Sequence, residues 1–303
     1  MYKRYIDPTI DFGFKHLFGD KRVLIAFLNA LLPDDIQVVD LRYLSSEMLG
    51  DEVEGKVVVF DLHCETEDGR VIIVEMQRLP QPYFKRRVLY YGMRGFEGHV
   101  RRGDRFYDFA PVYVVCVVDF DLPGRFEGWH HRFTLQSDRG ELFSDVLQLY
   151  FVELTKFPDV DTTTKPELTA LEQWTAALKE MPALEGIPEW VTEEDVRRAF
   201  ELSEVAALSD EQRSAFERAL KEDKDLRGQV LQQYIYGQTI GQAEGRIDGW
   251  AEGRVEGRVE GRVERNTELV LRLRGRGLGA AAIADTLGLA EDFVREVLAE
   301  REP

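Results

Sequence analysis

Residues Val112 to Val118 read Val-Tyr-Val-Val-Cys-Val-Val, seven apolar and mostly β-branched side chains in a row. Side chains alternate across a strand, so a run that is apolar at every position needs cover on both faces, as in a sheet flanked by helices. The segments around it agree. Asp11 to Leu32 repeats apolar residues at helical spacing until Pro33 stops it, with a break expected near Gly19 and Asp20. Val57 to Cys64 and Val71 to Met76 read as strands separated by Glu67-Asp68-Gly69, a hairpin signal. Tyr83 to about His99 reads as a helix, and a further strand is expected near Gln148 to Val152. Helix, strands, helix, strand is the order of an α/β domain.

The chain has 303 residues, 44% of them hydrophobic, and two cysteines, which excludes a disulfide scaffold and a wholly disordered chain. Cys64 and Cys116 sit inside apolar runs and read as reduced core residues. With no signal-peptide pattern and no apolar stretch of membrane-spanning length, a cytoplasmic protein is expected. Four parts are expected: an α/β domain over 1–165, an acidic helical extension over 166–236, a glycine repeat over 237–265, and a small helix-turn-helix-like tail over 266–303. Thr192 and Ser209 read as helix N-caps, the latter with Gln212 at the capping-box position. The tail holds more acidic than basic residues, which argues against its reading DNA.

In the repeat, Gly237, Gly241, Gly245, Gly249, Gly253, Gly257 and Gly261 recur every fourth residue. Glycine costs about 1 kcal/mol per helical position. On a helix Arg254, Arg258 and Arg262 would form one like-charged column and Glu252, Glu256, Glu260 and Glu264 another. Either this is a flexible linker, or it is a helix whose charges pair with another chain. The second alternative implies a homo-oligomer, with a dimer favoured by the prevalence of two-fold assemblies.

The pair that carries chemistry is Asp61 and Glu75, and loop parity decides whether they meet. A two-residue turn would set position 61 opposite 76 and put the acids on opposite faces. A three-residue loop with Gly69 left-handed in a G1 bulge sets 61 opposite 75, with Cβ atoms ~5 Å apart, close enough to share a divalent cation. The bland alternative is an exposed hairpin face. Against it, Val57, Val59, Val71 and Ile73 share the acids' face and imply a covered surface. The net charge is −17, which argues against non-specific coating of nucleic acid, yet Arg78 to Arg105 carries a local +6. Cations beside a metal-binding acid pair suit a phosphodiester substrate, and Arg87 and Tyr91, one turn apart, are expected to face the cleft and grip a phosphate. Lys85 and Arg86 are further candidates for DNA contact.

Asp11-Phe12-Gly13-Phe14-Lys15-His16-Leu17-Phe18, Phe27-Leu28-Asn29-Ala30-Leu31-Leu32, Asp61 with Glu75-x-Gln77, Phe84-x-x-Arg87-x-x-x-Tyr91 and Gly103-x-x-x-Tyr107 together resemble the Rpn family. These are described as recombination-promoting nucleases or transposases of the PD-(D/E)XK superfamily. The resemblance covers about residues 5 to 155 and implies an αβββαβ core, followed here by an all-helical extension. It also implies DNA endonuclease activity dependent on Mg²⁺ or Mn²⁺. By position it makes Asp61 and Glu75 metal ligands, sets Gln77 in place of the superfamily lysine, and makes Asp11 a candidate acid that could instead be only an N-cap. Phe60 stands where the superfamily's name has proline, and Gln77 carries no charge. No zinc-ligand spacing, phosphate-binding P-loop or Gly-x-Ser-x-Gly elbow is present. The rival from another class is a catalytically weak oligomeric scaffold or DNA-associated assembly protein.

Overall fold

The structure is a computed structural model that describes residues 3–45, 47–48, 58–97, 110–161 and 166–299. Its strands are β1 (Leu41–Tyr43), β2 (Glu47–Met48), β3 (Val58–Val59), β4 (Leu62–Thr66), β5 (Val71–Gln77), β6 (Val112–Val118), β7 (His130–Gln136) and β8 (Leu142–Glu153). The helices are α1 (Asp11–Phe18), α2 (Lys21–Leu31), α3 (Phe84–Glu97), α4 (Ala170–Glu180), α5 (Glu194–Leu202), α6 (Asp210–Arg274), α7 (Ala280–Leu287) and α8 (Glu291–Ala299).

Six strands form one sheet in the order β1-β4-β5-β6-β8-β7. β6 lies parallel to both β5 and β8, and the other neighbours are antiparallel. Every residue of β6 is buried, as its composition requires of a central strand. Its two sets of side chains enter two cores. Tyr113, Val115 and Val117 join Cys64, Ile72, Val74 and Tyr150 under α1, α2, α4 and α5, where Phe18, Phe27, Trp174 and Phe200 supply the bulk. Val112, Val114, Cys116 and Val118 join Val71, Ile73 and Phe151 under Phe84, Val88 and Tyr91 of α3. The two cysteines are free and buried, one in each core. Burial pushes the Cys64 thiol up to about 12 and holds Cys116 well above the usual thiol range.

The expected break in the first helix falls at Gly19 and Asp20. Asp20 caps α2 by accepting from the Val23 N–H at 3.1 Å, and it is held below the usual carboxylate range by Arg198, whose Nη2 lies 2.6 Å away. Ser209 and Gln212 make the expected reciprocal capping bonds. Thr192 does not cap α5: its hydroxyl accepts from Gln173, and Glu193 occupies the N-cap position without a side-chain bond. The capping box that the sequence left unread is Thr169 with Glu172, which opens α4. α4 and α5 are built into the same core as α1 and α2, because Trp174, Trp190 and Phe200 have nowhere else to be buried.

Val57–Cys64 is not one strand. Val57 lies outside the described residues, β3 pairs with β2 in a separate two-stranded ladder, and the main strand starts only at Leu62. The strand expected near Gln148 extends back to Leu142, and β7 was not anticipated because His130–Gln136 mixes polar with apolar residues on a half-exposed edge.

The chain divides into two units, Met1–Arg227 and Gly228–Pro303. In the second, α6 continues as helix through all seven glycines. Farther on, Val270 of α6 packs with Ile283 and Ala284 of α7 and Val294 and Val297 of α8. Left-handed glycines at Gly277 (φ +90°) and Gly288 (φ +65°) make the two turns of this small helical unit.

Candidate active site

The β4–β5 hairpin closes as the three-residue loop that would bring the acids together. Thr66 N–H donates to the Arg70 carbonyl at 2.9 Å, Gly69 N–H donates to the Thr66 carbonyl at 3.0 Å, and Gly69 takes φ +83°, a conformation that a side chain would strain. The resulting register pairs Leu62 with Val74 and His63 with Ile73, so position 61 continues it opposite Glu75.

Regular pairing stops there. Alternation would send Phe60 to the same face as Leu62 and Cys64, yet it packs in the opposite core, edge-on to Tyr91 at 5.0 Å. With the strand broken, side chains replace the ladder. The Asp61 N–H donates to Glu75 Oε1 at 3.1 Å, and the Met76 N–H donates to Asp61 Oδ2 at 2.8 Å. Each carboxylate thus has one oxygen tied to the backbone. Among the described residues Asp61 Oδ1 and Glu75 Oε2 accept no hydrogen bond.

Glu75 is 5% exposed, on the face covered by α3. Burial, then the neighbouring Asp61 charge, pushes its carboxyl up to about 8; burial also raises Asp61, and the Asp11 charge adds to it. Two dehydrated carboxylates side by side favour a shared positive species, a proton or a cation. The donor set fits a hard divalent ion, which one or two carboxylates hold while waters complete the shell. No group of three or more His, Cys, Asp or Glu side chains placed to hold a metal occurs among the described residues.

Asp11 is the first residue of α1. Ile10 occupies the N-cap position, so Asp11 is not the cap; its carboxylate pairs with Lys15 one turn on, at 2.6 Å. Both charges reach the acid pair: Asp11 raises Asp61, and Lys15 lowers both Asp61 and Glu75. α1 owes its seat to Gly13, where a Cβ would run into the Asp7 carbonyl.

Gln77 and Arg87 meet. The Arg87 guanidinium donates to the side-chain oxygens of Gln77 and Gln81, and Gln77 Nε2 donates to the Leu79 carbonyl at 3.1 Å. Arg87 also lies against the rings of Phe84 and Tyr91, and its buried Nε finds no acceptor among the described residues. Tyr91 is raised to about 12 by burial and the Glu75 charge, which places its hydroxyl in the field of the acids.

The +6 segment is not one phosphate-facing strip. Lys85 reaches the Pro123 carbonyl and lies over Phe126, while Arg86 lies over Tyr83. Among the described residues neither is bonded to Gln77 or to the acid pair. Arg94 is buried, and Arg101, Arg102 and Arg105 lie outside the described residues, as does the Gly103-to-Tyr107 motif. Arg78 pairs with Asp7 at 3.0 Å and Asp223 at 2.9 Å, with Asp119 at 3.9 Å. Asp119 is thereby part of an ion-pair network that ties the end of β5 to α6. Only the position of Arg78 next to Gln77 could have hinted at this, since its partners come from segments far apart in sequence.

The profile of the PD-(D/E)XK nuclease family transposases matches residues 8–232, which includes α4, α5 and the start of α6. No curated protein and no solved structure matches the chain.

Proposed function

This chain belongs to the PD-(D/E)XK nuclease family transposases, and from that premise we propose that it is a metal-dependent DNA endonuclease acting in recombination or transposition. The observation that carries the reading is the reciprocal seating of Asp61 and Glu75: a half-buried and a buried carboxylate, each with one oxygen fixed by a backbone N–H and, among the described residues, one left over. Asp61 and Glu75 are the metal ligands, with Asp11 at the edge of the same field. A divalent ion held there, Mg²⁺ or Mn²⁺, would supply water activation and shielding of phosphate charge. Arg87 holds the phosphate, presenting the guanidinium hydrogens that Gln77 and Gln81 leave free. Gln77, in the superfamily lysine's place, acts as a positioning residue by fixing Arg87, and Tyr91 supports the guanidinium from below. Lys85 and Arg86 contribute at most peripheral contacts to DNA.

Nicking of supercoiled plasmid in Mg²⁺ or Mn²⁺ tests this. Cutting by the wild type that drops at least a hundredfold in Asp61→Ala is expected. Equal cutting by both, or none by the wild type with any divalent metal, returns the protein to the scaffold reading.

The chain also self-associates through its glycine repeat, with a dimer favoured. Helix through seven glycines and two like-charged columns supports this, because such a helix lacks stabilisation of its own. Two buried free cysteines suit a reducing compartment such as the cytoplasm, and no described helix is long and apolar enough to cross a membrane.

A further inference from the structure

The first turns of α6 face α1 across a cleft of about 450 Å³, lined by Asp11, the residue whose charge acts on Asp61. Its α1 wall is Asp11, Phe12, Lys15 and His16; its α6 wall carries Gln212, Arg218 and Glu222, with Ala215 and Ala219 between them. The cleft is built rather than incidental. Phe12 meets Phe216 at 5.7 Å, and Ile6, Ile10, Val205, Leu208 and Phe216 form an apolar cluster that fixes α6 to the start of α1. His16 is held by the Leu202 carbonyl at 3.1 Å and stacks on Phe12 with rings 10° from parallel. The two alanines, one turn apart, keep the space open where longer side chains would fill it.

We propose that this cleft is a subsite for one nucleotide of the substrate strand, with Lys15 and Arg218 on its phosphates and the Phe12–His16 stack against its base. Three features select a nucleotide over other occupants. Asp11 and Lys15 line the cleft and their charges also act on the acid pair, so a strand whose scissile phosphate lay at Asp61 and Glu75 has this cleft within reach. Lys15 and Arg218 stand on opposite walls, where a backbone running between them would meet both. An aromatic surface flanked by cations is the chemistry that holds unpaired bases without reading sequence. The volume is within the range of about 300–1,000 Å³ usual for small-ligand sites. This subsite rests on the endonuclease reading and adds to it a preference for an unpaired nucleotide beside the cut.

The test is binding of fluorescent oligodeoxynucleotides, single-stranded and duplex, to the full chain in Ca²⁺ at several salt concentrations. Arg218→Gln and Lys15→Gln should each weaken single-strand binding by about fivefold to tenfold and reduce the salt slope by roughly 0.7. Glu222→Lys, which adds a cation inside the cleft, should tighten binding and steepen the slope by a similar amount. Lys221→Gln, the same charge loss outside the cleft, should bind as the wild type does; unfolding temperatures verify that each variant is folded. If folded Arg218→Gln and Glu222→Lys both match the wild type, or if the wild type binds duplex but not single strand, the subsite is refuted and the endonuclease reading stands. If the wild type binds neither probe, both fall.

Discussion

Arg87 on α3 donates to the side-chain oxygen of Gln77 on β5, so the residue that the family resemblance sets in the lysine's place is itself the acceptor for a cation. Restoring the superfamily lysine should therefore fail. In Gln77→Lys an ammonium would face the Arg87 guanidinium at a half-buried site, and we expect a loss of about 1–3 kcal/mol in stability with slower nicking than the wild type. Thermal unfolding and the plasmid assay read both. Faster nicking by Gln77→Lys would show that Gln77 does not act through Arg87.

Arg87→Ala should weaken DNA binding on all sequences alike and lower the duplex salt slope by roughly 0.9, as expected for one lost phosphate contact. An unchanged affinity and slope would make Arg87 a structural residue.

Glu75 sets the sign of a pH effect. Its carboxyl titrates at about 8 in the fold against 4.5 in the unfolded chain. Between these values the folded state holds a proton that the unfolded state has released, so this group makes the metal-free protein less stable as pH rises from about 4.5 to 8. Glu75→Gln should flatten that decline, raise metal-free stability near pH 7 by roughly 1–3 kcal/mol, and lack the stabilisation by Mg²⁺ that is expected of the wild type. Denaturant unfolding across pH, with and without Mg²⁺, provides the comparison; a Glu75→Gln protein that Mg²⁺ still stabilises would remove Glu75 from the ligand set.

Gly13→Ala tests the seat of α1. Its methyl group would meet the Asp7 carbonyl, a backbone atom with little room to yield, and Asp7 is itself fixed by Thr9 and Arg78. A loss of about 1–3 kcal/mol is expected, with Asp11 and Lys15 displaced from the acid pair and nicking reduced. Unaltered melting and nicking would mean that α1 can shift at no cost.

For the tail, sedimentation of the full chain and of a chain ending at Tyr236 should differ: an oligomer, dissociating on dilution and in salt, for the first, and a monomer for the second. The same state for both would leave the repeat without a role in assembly.

How much of this was legible in the sequence depended on range. The acid pair was, because its geometry is set by three loop residues and the parity of two strands, all within Asp61 to Glu75. The break at Phe60 was not, since it reflects competition between strand alternation and the apolar space beneath α3, which no local pattern encodes. The charge count from Arg78 to Arg105 could not show that Arg78 is drawn inward by Asp7 and Asp223, partners distant in sequence, or that Arg94 is buried. Thr192 looked like a cap for the same reason, until the Gln173 side chain claimed its hydroxyl.

Cys64 and Cys116 lie on opposite faces of the sheet, each with a suppressed thiolate. A thiol reagent can reach either one only when the layer above it lifts, so their labelling rates time the opening of the two layers separately. The molecule thus carries its own pair of clocks, one for the α1–α2–α4–α5 side and one for the α3 side that bears the acids. Mg²⁺ bound at Glu75 should slow the Cys116 clock, because Cys116 stands beside Glu75 in the β5–β6 register.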